Sequence, residues 1–128
     1  MTNRVGAAIN TLLRAHGPLT ALVGNKIFPV ASQVDAVRPF IIYQRTGLSP
    51  AYTKDNRAFD SVFINITIIS ESYTESISIL TEVENALRGK RGIHAGVNID
   101  EIMLNDSYEE ADEENYIQEA QFEIFINN

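Results

Sequence analysis

The densest run of groups able to do chemistry is NDSYEEADEEN, which brings Asp106, Glu109, Glu110, Asp112, Glu113 and Glu114 into one short stretch. Carboxylates are hard oxygen ligands suited to calcium, but the EF-hand spacing and its central glycine are missing. Two such groups could also act as the acid and base of a glycosidase. That chemistry needs environments that hold one carboxyl protonated and the other ionised, and a run of neighbouring acids shows no such desolvation. The bland alternative is a solvated hairpin tip. A third role is electrostatic: a strongly negative loop repels phosphate and can line a passage through which DNA moves without sticking.

Elsewhere the chemistry is sparse. His16 closes the first amphipathic segment, where its ring can interact with the exposed carbonyls of a helix terminus. His94 sits in a glycine-flanked loop. The chain has no HExxH, no GxSxG and no glycine-rich loop followed by Lys and Ser or Thr, so zincin, α/β-hydrolase and phosphate-loop mechanisms lack their residues. No catalytic, cofactor-binding or metal-ligating set is assigned, and no cofactor is expected. A second stretch, GLSPAYTKDNRAFD, combines Tyr52, Lys54, Arg57 and Phe59 in an aromatic and basic loop that contrasts with the acidic whole. It suits either a partner surface or a long hairpin whose rings fold back onto a sheet.

A chain of 128 residues is expected to form a single domain, 1–128, around one core. It has no cysteine, which removes disulfides and thiolate chemistry and leaves stability to packing. A formal charge of −7 argues against a general nucleic-acid surface, because phosphate affinity depends on clustered Lys and Arg. The N-terminal stretch lacks a continuous apolar h-region and is expected to belong to the fold. No run approaches the roughly 20 apolar residues of a membrane span.

The elements that must position these groups centre on SVFINITIIS and the following YTESISILTEVENALRG. Val62, Ile64, Ile66 and Ile68 alternate along one face of a strand. Ser72 and Glu75 have capping-box spacing, and Ile77, Leu80, Val83 and Leu87 predict the buried stripe of the helix that follows, closed by Arg88 and a left-handed Gly89. Val5, Ile9, Leu12 and Leu13 predict a first helix ending at Gly17 and Pro18. After it come one short helical turn and a brief extended segment at Ile27 and Phe28.

FIIYQRT reads as a strand from Phe40 to Thr46, with residues 47–60 as a long loop. In VNIDEIMLND the alternation breaks near Asp100 to Ile102, as a bulge would cause. In the last segment Ala120, Phe122, Ile124 and Ile126 share one face. The expected fold is α+β, a two-layer sandwich in the order α-β-β-α-β-β, with a mainly antiparallel four-stranded sheet and two main helices on one face.

Four stretches, LTALVGNKIFP, RPFIIYQRTGLSPAYTKD, FINITIISESYTESISILTEVENALRG and IMLNDSYEEADEENYIQEAQFEIFI, cover most of the chain. In their order and spacing they resemble the phage tail completion, or tail terminator, family of long-tailed phages and prophages. The resemblance implies a structural virion protein, not an enzyme, assembled in the host cytoplasm. Its ring, usually a hexamer, sits at the head-proximal end of the tail tube, ends tube growth and joins tail to head. The implied partners are further copies of itself, the tail-tube protein and the head-tail connector protein, without specific nucleic-acid binding and without a membrane. On this basis the acidic residues Asp106 to Glu114 face the lumen or the tube, and Tyr52, Lys54, Arg57 and Phe59 meet a neighbouring subunit or the tube. The alternative is a small α+β ligand-binding or regulatory domain without a virion role. That alternative requires an apolar pocket with a few convergent polar groups.

Overall fold

The computed structural model describes residues 2–30, 37–52 and 58–127. A short 3-10 turn at Thr2–Arg4 leads into α1 (Val5–Ala15) and α2 (Gly17–Val23), followed by β1 (Ile27–Pro29), β2 (Phe40–Tyr52) and β3 (Ala58–Ser70). Then come α3 (Tyr73–Leu87), β4 (Gly92–His94), β5 (Val97–Ala111) and β6 (Tyr116–Asn127). The strands form one six-stranded sheet in the order β1-β2-β3-β6-β5-β4, antiparallel except for the β1–β2 pair.

This corrects the expected four-stranded sandwich with two main helices: the described residues form three helices and six strands, and the sheet curls into a half-barrel. Two physical causes account for the difference. β1 and β4 are three-residue strands, too brief to show alternation, and they form because the long edges of β2 and β5 supply hydrogen-bond partners. The long strands carry register shifts at Arg45/Gly47, Ile99/Glu101 and Leu104/Asp106, and such bulges add to the native twist and bend a sheet. The shift at Ile99/Glu101 lies where the alternation of VNIDEIMLND breaks.

The expected loop 47–60 is also shorter than its sequence suggests. β2 continues to Tyr52 and pairs with β3 as far as Ala58, so most of that stretch is strand. Gly47 and Pro50 disfavour a strand locally, but Gly47 falls at the bulge. Pro50 lies on a stretch of β2 that has no outer neighbour among the described residues, where its missing N–H costs no ladder bond.

The core lies between one face of the sheet and the helices. Val62, Ile64, Ile66 and Ile68 of β3 are fully buried, and Ala120, Phe122, Ile124 and Ile126 of β6 are buried beside them, as their alternation predicts. Above them lie Val5, Ile9, Leu12 and Leu13 of α1 and the inner face of α3. That inner face is Ser76, Ile79, Val83, Ala86 and Leu87, with Leu80 partly buried, whereas Ile77 is 37% exposed. The stripe is rotated from the expected one because Ser76 can be buried. Its Oγ donates to the Tyr73 carbonyl at 2.6 Å and accepts from Gln118, so a polar residue sits inward where hydropathy favours Ile77.

Both ends of α3 depart from the simple caps. The Ser72 hydroxyl accepts from the Glu75 N–H, but the Glu75 carboxylate binds Ser70 Oγ at 2.6 Å, and Ser70 Oγ in turn accepts the Ser72 N–H. The reciprocal half of the capping box therefore runs through a third residue. At the other end Gly89 has φ +75, and its N–H reaches the Ile102 carbonyl of β5 at 3.2 Å, fastening the helix exit to the sheet.

Candidate functional site

The acidic residues are divided between a strand and a turn. Asp106, Glu109 and Glu110 belong to β5, and Asp112, Glu113 and Glu114 lie in the connection to β6. In the turn the Asp112 carboxylate accepts from the N–H groups of Glu114 and Asn115 at 2.9 and 2.8 Å, while the Asp112 N–H donates to the Asn115 carbonyl. These bonds, first the one from Glu114, hold the Asp112 carboxyl below its usual range. It acts as the organising acceptor of a tight turn. Arg38 clamps this turn from the start of β2: Nη1 donates to Asn115 Oδ1 at 2.6 Å and to the Glu114 carbonyl, and Nη2 lies 3.1 Å from the Glu71 carboxylate.

Cross-strand pairing divides the strand acids between the two faces of the sheet. Glu109 is opposite Gln118, on the helix side. Its carboxylate accepts from Tyr73 Oη at 3.0 Å and from Gln118 Nε2 at 3.1 Å, and Gln118 also donates to Ser76 Oγ. The bond to Glu109 raises the Tyr73 pKa. Tyr116 packs edge-on against Tyr73 with ring centroids 5.7 Å apart.

Asp106 and Glu110 pair with Gln121 and Ile117 on the opposite, open face, where Glu101, Glu119 and Glu123 also lie. Tyr108 is there too, its pKa raised by a hydrogen bond to Glu119. No Lys, Arg or His occurs anywhere in residues 97–128. The open face of β5 and β6 therefore carries charge of one sign, interleaved with partly buried Ile117 and Phe125.

Among the described residues no three His, Cys, Asp or Glu side chains are grouped so as to hold a metal ion. Of the aromatic and basic stretch, Tyr52 ends β2 and Phe59 lies in β3, and Lys54 and Arg57 fall outside the described residues. The Ala58 end of β3 lies at the opposite end of the sheet from the acidic β5–β6 turn, because Phe59 pairs with Asn127 while Ser70 pairs with Tyr116.

The histidines make contacts other than those expected. His16 lies between α1 and α2, and its Nε2 meets Glu82 of α3 at 2.9 Å instead of a helix carbonyl. That bond, ahead of one from Asn85, lowers the Glu82 pKa. His94 lies in β4 and bonds the Arg91 carbonyl.

Sequence reasoning missed Arg38 and Gln118. Arg38 gave no signal, since the turn residues it holds are 76 and 77 positions away in the chain. Gln118 did give one: it continues the inward series 120, 122, 124, 126 by one step, which marks a polar residue turned into the core. Two cavities among the described residues are surface notches. One of about 450 Å³ lies beside Arg88, Gly89 and residues 101–104, and one of about 260 Å³ lies between Tyr73, Glu109 and Tyr116.

The sequence matches the family model described as tail completion protein gp17 over residues 7–127. No curated protein matches it. Among solved structures, a chain in the "Virion of native gene transfer agent (GTA) particle" superposes with a TM-score of 0.83 at 17% identity, with 97% of each chain covered. That likeness shows a shared fold.

Proposed function

Because the chain belongs to the tail completion protein gp17 family, we propose that it works as one subunit of a closed ring of six copies, seated on the head-proximal end of the tail tube, where it stops tube growth and presents a surface to the head connector. Family membership makes it a structural protein of the virion tail with a general role in joining tail to head, and without a catalytic step of its own. A subunit with two different complementary patches forms a ring when the rotation relating neighbours closes.

The single observation that supports the ring reading best is the one-signed open face. Glu101, Asp106, Glu110, Glu119 and Glu123 share it with no cation in β5 or β6, although Arg91 comes within 4.0 Å of Glu101. In a ring whose helices point outward this face, together with Asp112, Glu113 and Glu114 at its end, lines the lumen. Like-charge repulsion would then keep passing DNA from adhering. Glu109 faces the helices and is not part of this open face. Tyr52, Lys54, Arg57 and Phe59 are the residues we assign to an adjacent subunit or the tube.

The test is electron microscopy of the purified protein mixed with tail tubes. Annular density at one tube end, and tubes that no longer elongate, are expected. Protein that never occupies a tube end, with normal virions from a strain lacking the gene, would reject the proposal.

A further inference from the structure

We propose that the joint between ring subunits is an antiparallel pairing of the free edge of β5 in one copy with the free edge of β2 in the next, in a register that sets Arg45 against the neighbour's Glu109. The inference rests on the ring reading and adds to it which edges meet.

The sheet ends in two partly covered long strands. On one side β1 pairs only with Ile41–Tyr43, and the Val30 N–H reaches the Tyr43 carbonyl, so the cover stops there and β2 runs on from Gln44 to Tyr52. On the other side β4 pairs only with Val97–Ile99, and Gly89 occupies the Ile102 carbonyl, so β5 runs on from Met103 to Ala111. Among the described residues no strand lies outside either stretch. A row of unpaired backbone donors and acceptors is a template for another strand.

The two edges differ in charge, and the difference selects the partner. Every charged residue in 97–128 is acidic, whereas Arg45 lies on the β2 edge, where its Nη1 donates to Asn3 Oδ1 at 2.7 Å. Pairing β5 with β5 would set Asp106, Glu109 and Glu110 against their own copies, which is unfavourable across a ladder. Pairing β5 with β2 sets acid against base. This union is heterologous, so it leaves a free β2 edge at one end and a free β5 edge at the other, as a ring requires.

The geometry also closes. β2 and β5 run in opposite directions within one sheet, since each step from β2 through β3 and β6 to β5 is antiparallel. A neighbour continuing the sheet therefore joins its β2 to this β5 antiparallel. The free part of β2 lies towards the β2–β3 turn and the free part of β5 towards the β5–β6 turn, so the subunits must be staggered along the strands. Following the ladders, Arg45 is level with Ile64, and Glu109 is level with Gln118 and Ile68.

Bringing Arg45 to Glu109 is thus a shift of about four residues, or about 13 Å, over four strands spaced about 4.8 Å apart. The resulting strand tilt is about 35°, within the range of closed β-barrels. In this register Gln44 lies beside Glu110 on the open face, and Pro50 falls opposite Leu104 near the end of the matched stretch, where its missing N–H removes one ladder bond.

The chain has no cysteine, so introduced thiols report without background. Full-length Gln44→Cys and Glu110→Cys, both at exposed positions, would be mixed, assembled on tail tubes or concentrated to the oligomer, and treated with a short bis-maleimide. The mixture is expected to give at least tenfold more linked dimer than either variant alone, and the double variant a ladder ending at the closed ring. Arg45→Glu should abolish assembly and Arg45→Glu with Glu109→Arg should restore it, each variant first shown folded by circular dichroism. Rings that form without the mixed link, or links within one variant alone, overturn the edge pairing while leaving the ring standing. A protein that stays monomeric in solution and on tubes overturns both.

Discussion

Arg38 Nη1 donates to Asn115 Oδ1 at 2.6 Å, tying the residue that leads into β2 to the turn between β5 and β6, the acidic end of the sheet. A guanidinium has enough donors to serve Asn115, the Glu114 carbonyl and Glu71 together, which a lysine ammonium cannot do in one plane. Arg38→Ala should cost about 1 kcal/mol, the upper end for exposed pairs. Faster hydrogen exchange confined to residues 112–116 is the local sign to look for. Unchanged exchange there would mean that the Asp112 turn holds without the clamp.

Gln118 is 2% exposed and bridges Ser76 of α3 to Glu109 of β5. Removing its amide leaves the Glu109 carboxylate with one partner fewer at the edge of the core. Gln118→Ala should lower stability by about 1–3 kcal/mol in chemical denaturation. Gln118→Leu, which keeps the volume, should recover part of that loss.

Among the described residues Phe122 is the largest fully buried side chain, on β6 between the sheet neighbours Ile64 and Leu104. Phe122→Ala should destabilise by about 3–5 kcal/mol, from lost transfer energy plus the cavity left in the centre of the sheet. Calorimetry would check it. A loss below about 1 kcal/mol would show that the core closes over the gap.

The Ser72 cap has a different partner set from the usual box. Ser72→Ala removes the acceptor for the Glu75 N–H and should cost about 1 kcal/mol. Ser70→Ala should cost at least as much, because it breaks both the bond to Glu75 and the one from the Ser72 N–H. A silent Ser70→Ala would contradict the three-residue cap.

Acid sensitivity follows from two carboxyls. Glu82 and Asp112 both titrate below their ordinary values of 4.5 and 3.8 in the fold, Glu82 chiefly through His16 and Asp112 chiefly through the Glu114 N–H. A depressed folded pKa means that the contribution is present above the unfolded value and lost as pH falls through the folded one. The Tm gap between wild type and Glu82→Gln should therefore be full near pH 6 and narrow below about pH 4. A gap independent of pH would assign Glu82 a purely steric role.

The sequence by itself determined the interior: the period-two series of β3 and β6, the apolar stripe of α1 and the cap at Ser72 all appear in the structure, because hydrophobic periodicity is local and records which side faces the core. It also marked the chain as acidic, free of cysteine and without catalytic motifs. Only tertiary structure decided the rest. β1 and β4 exist because neighbouring edges offer backbone partners, residues 47–52 extend β2 because β3 lies alongside, and Ser76 displaces Ile77 from the core because Tyr73 and Gln118 satisfy its hydroxyl. The six acids, adjacent in sequence, part company for the same reason: in a strand alternate side chains point to opposite faces, so pairing partners, not proximity along the chain, decide what each one meets.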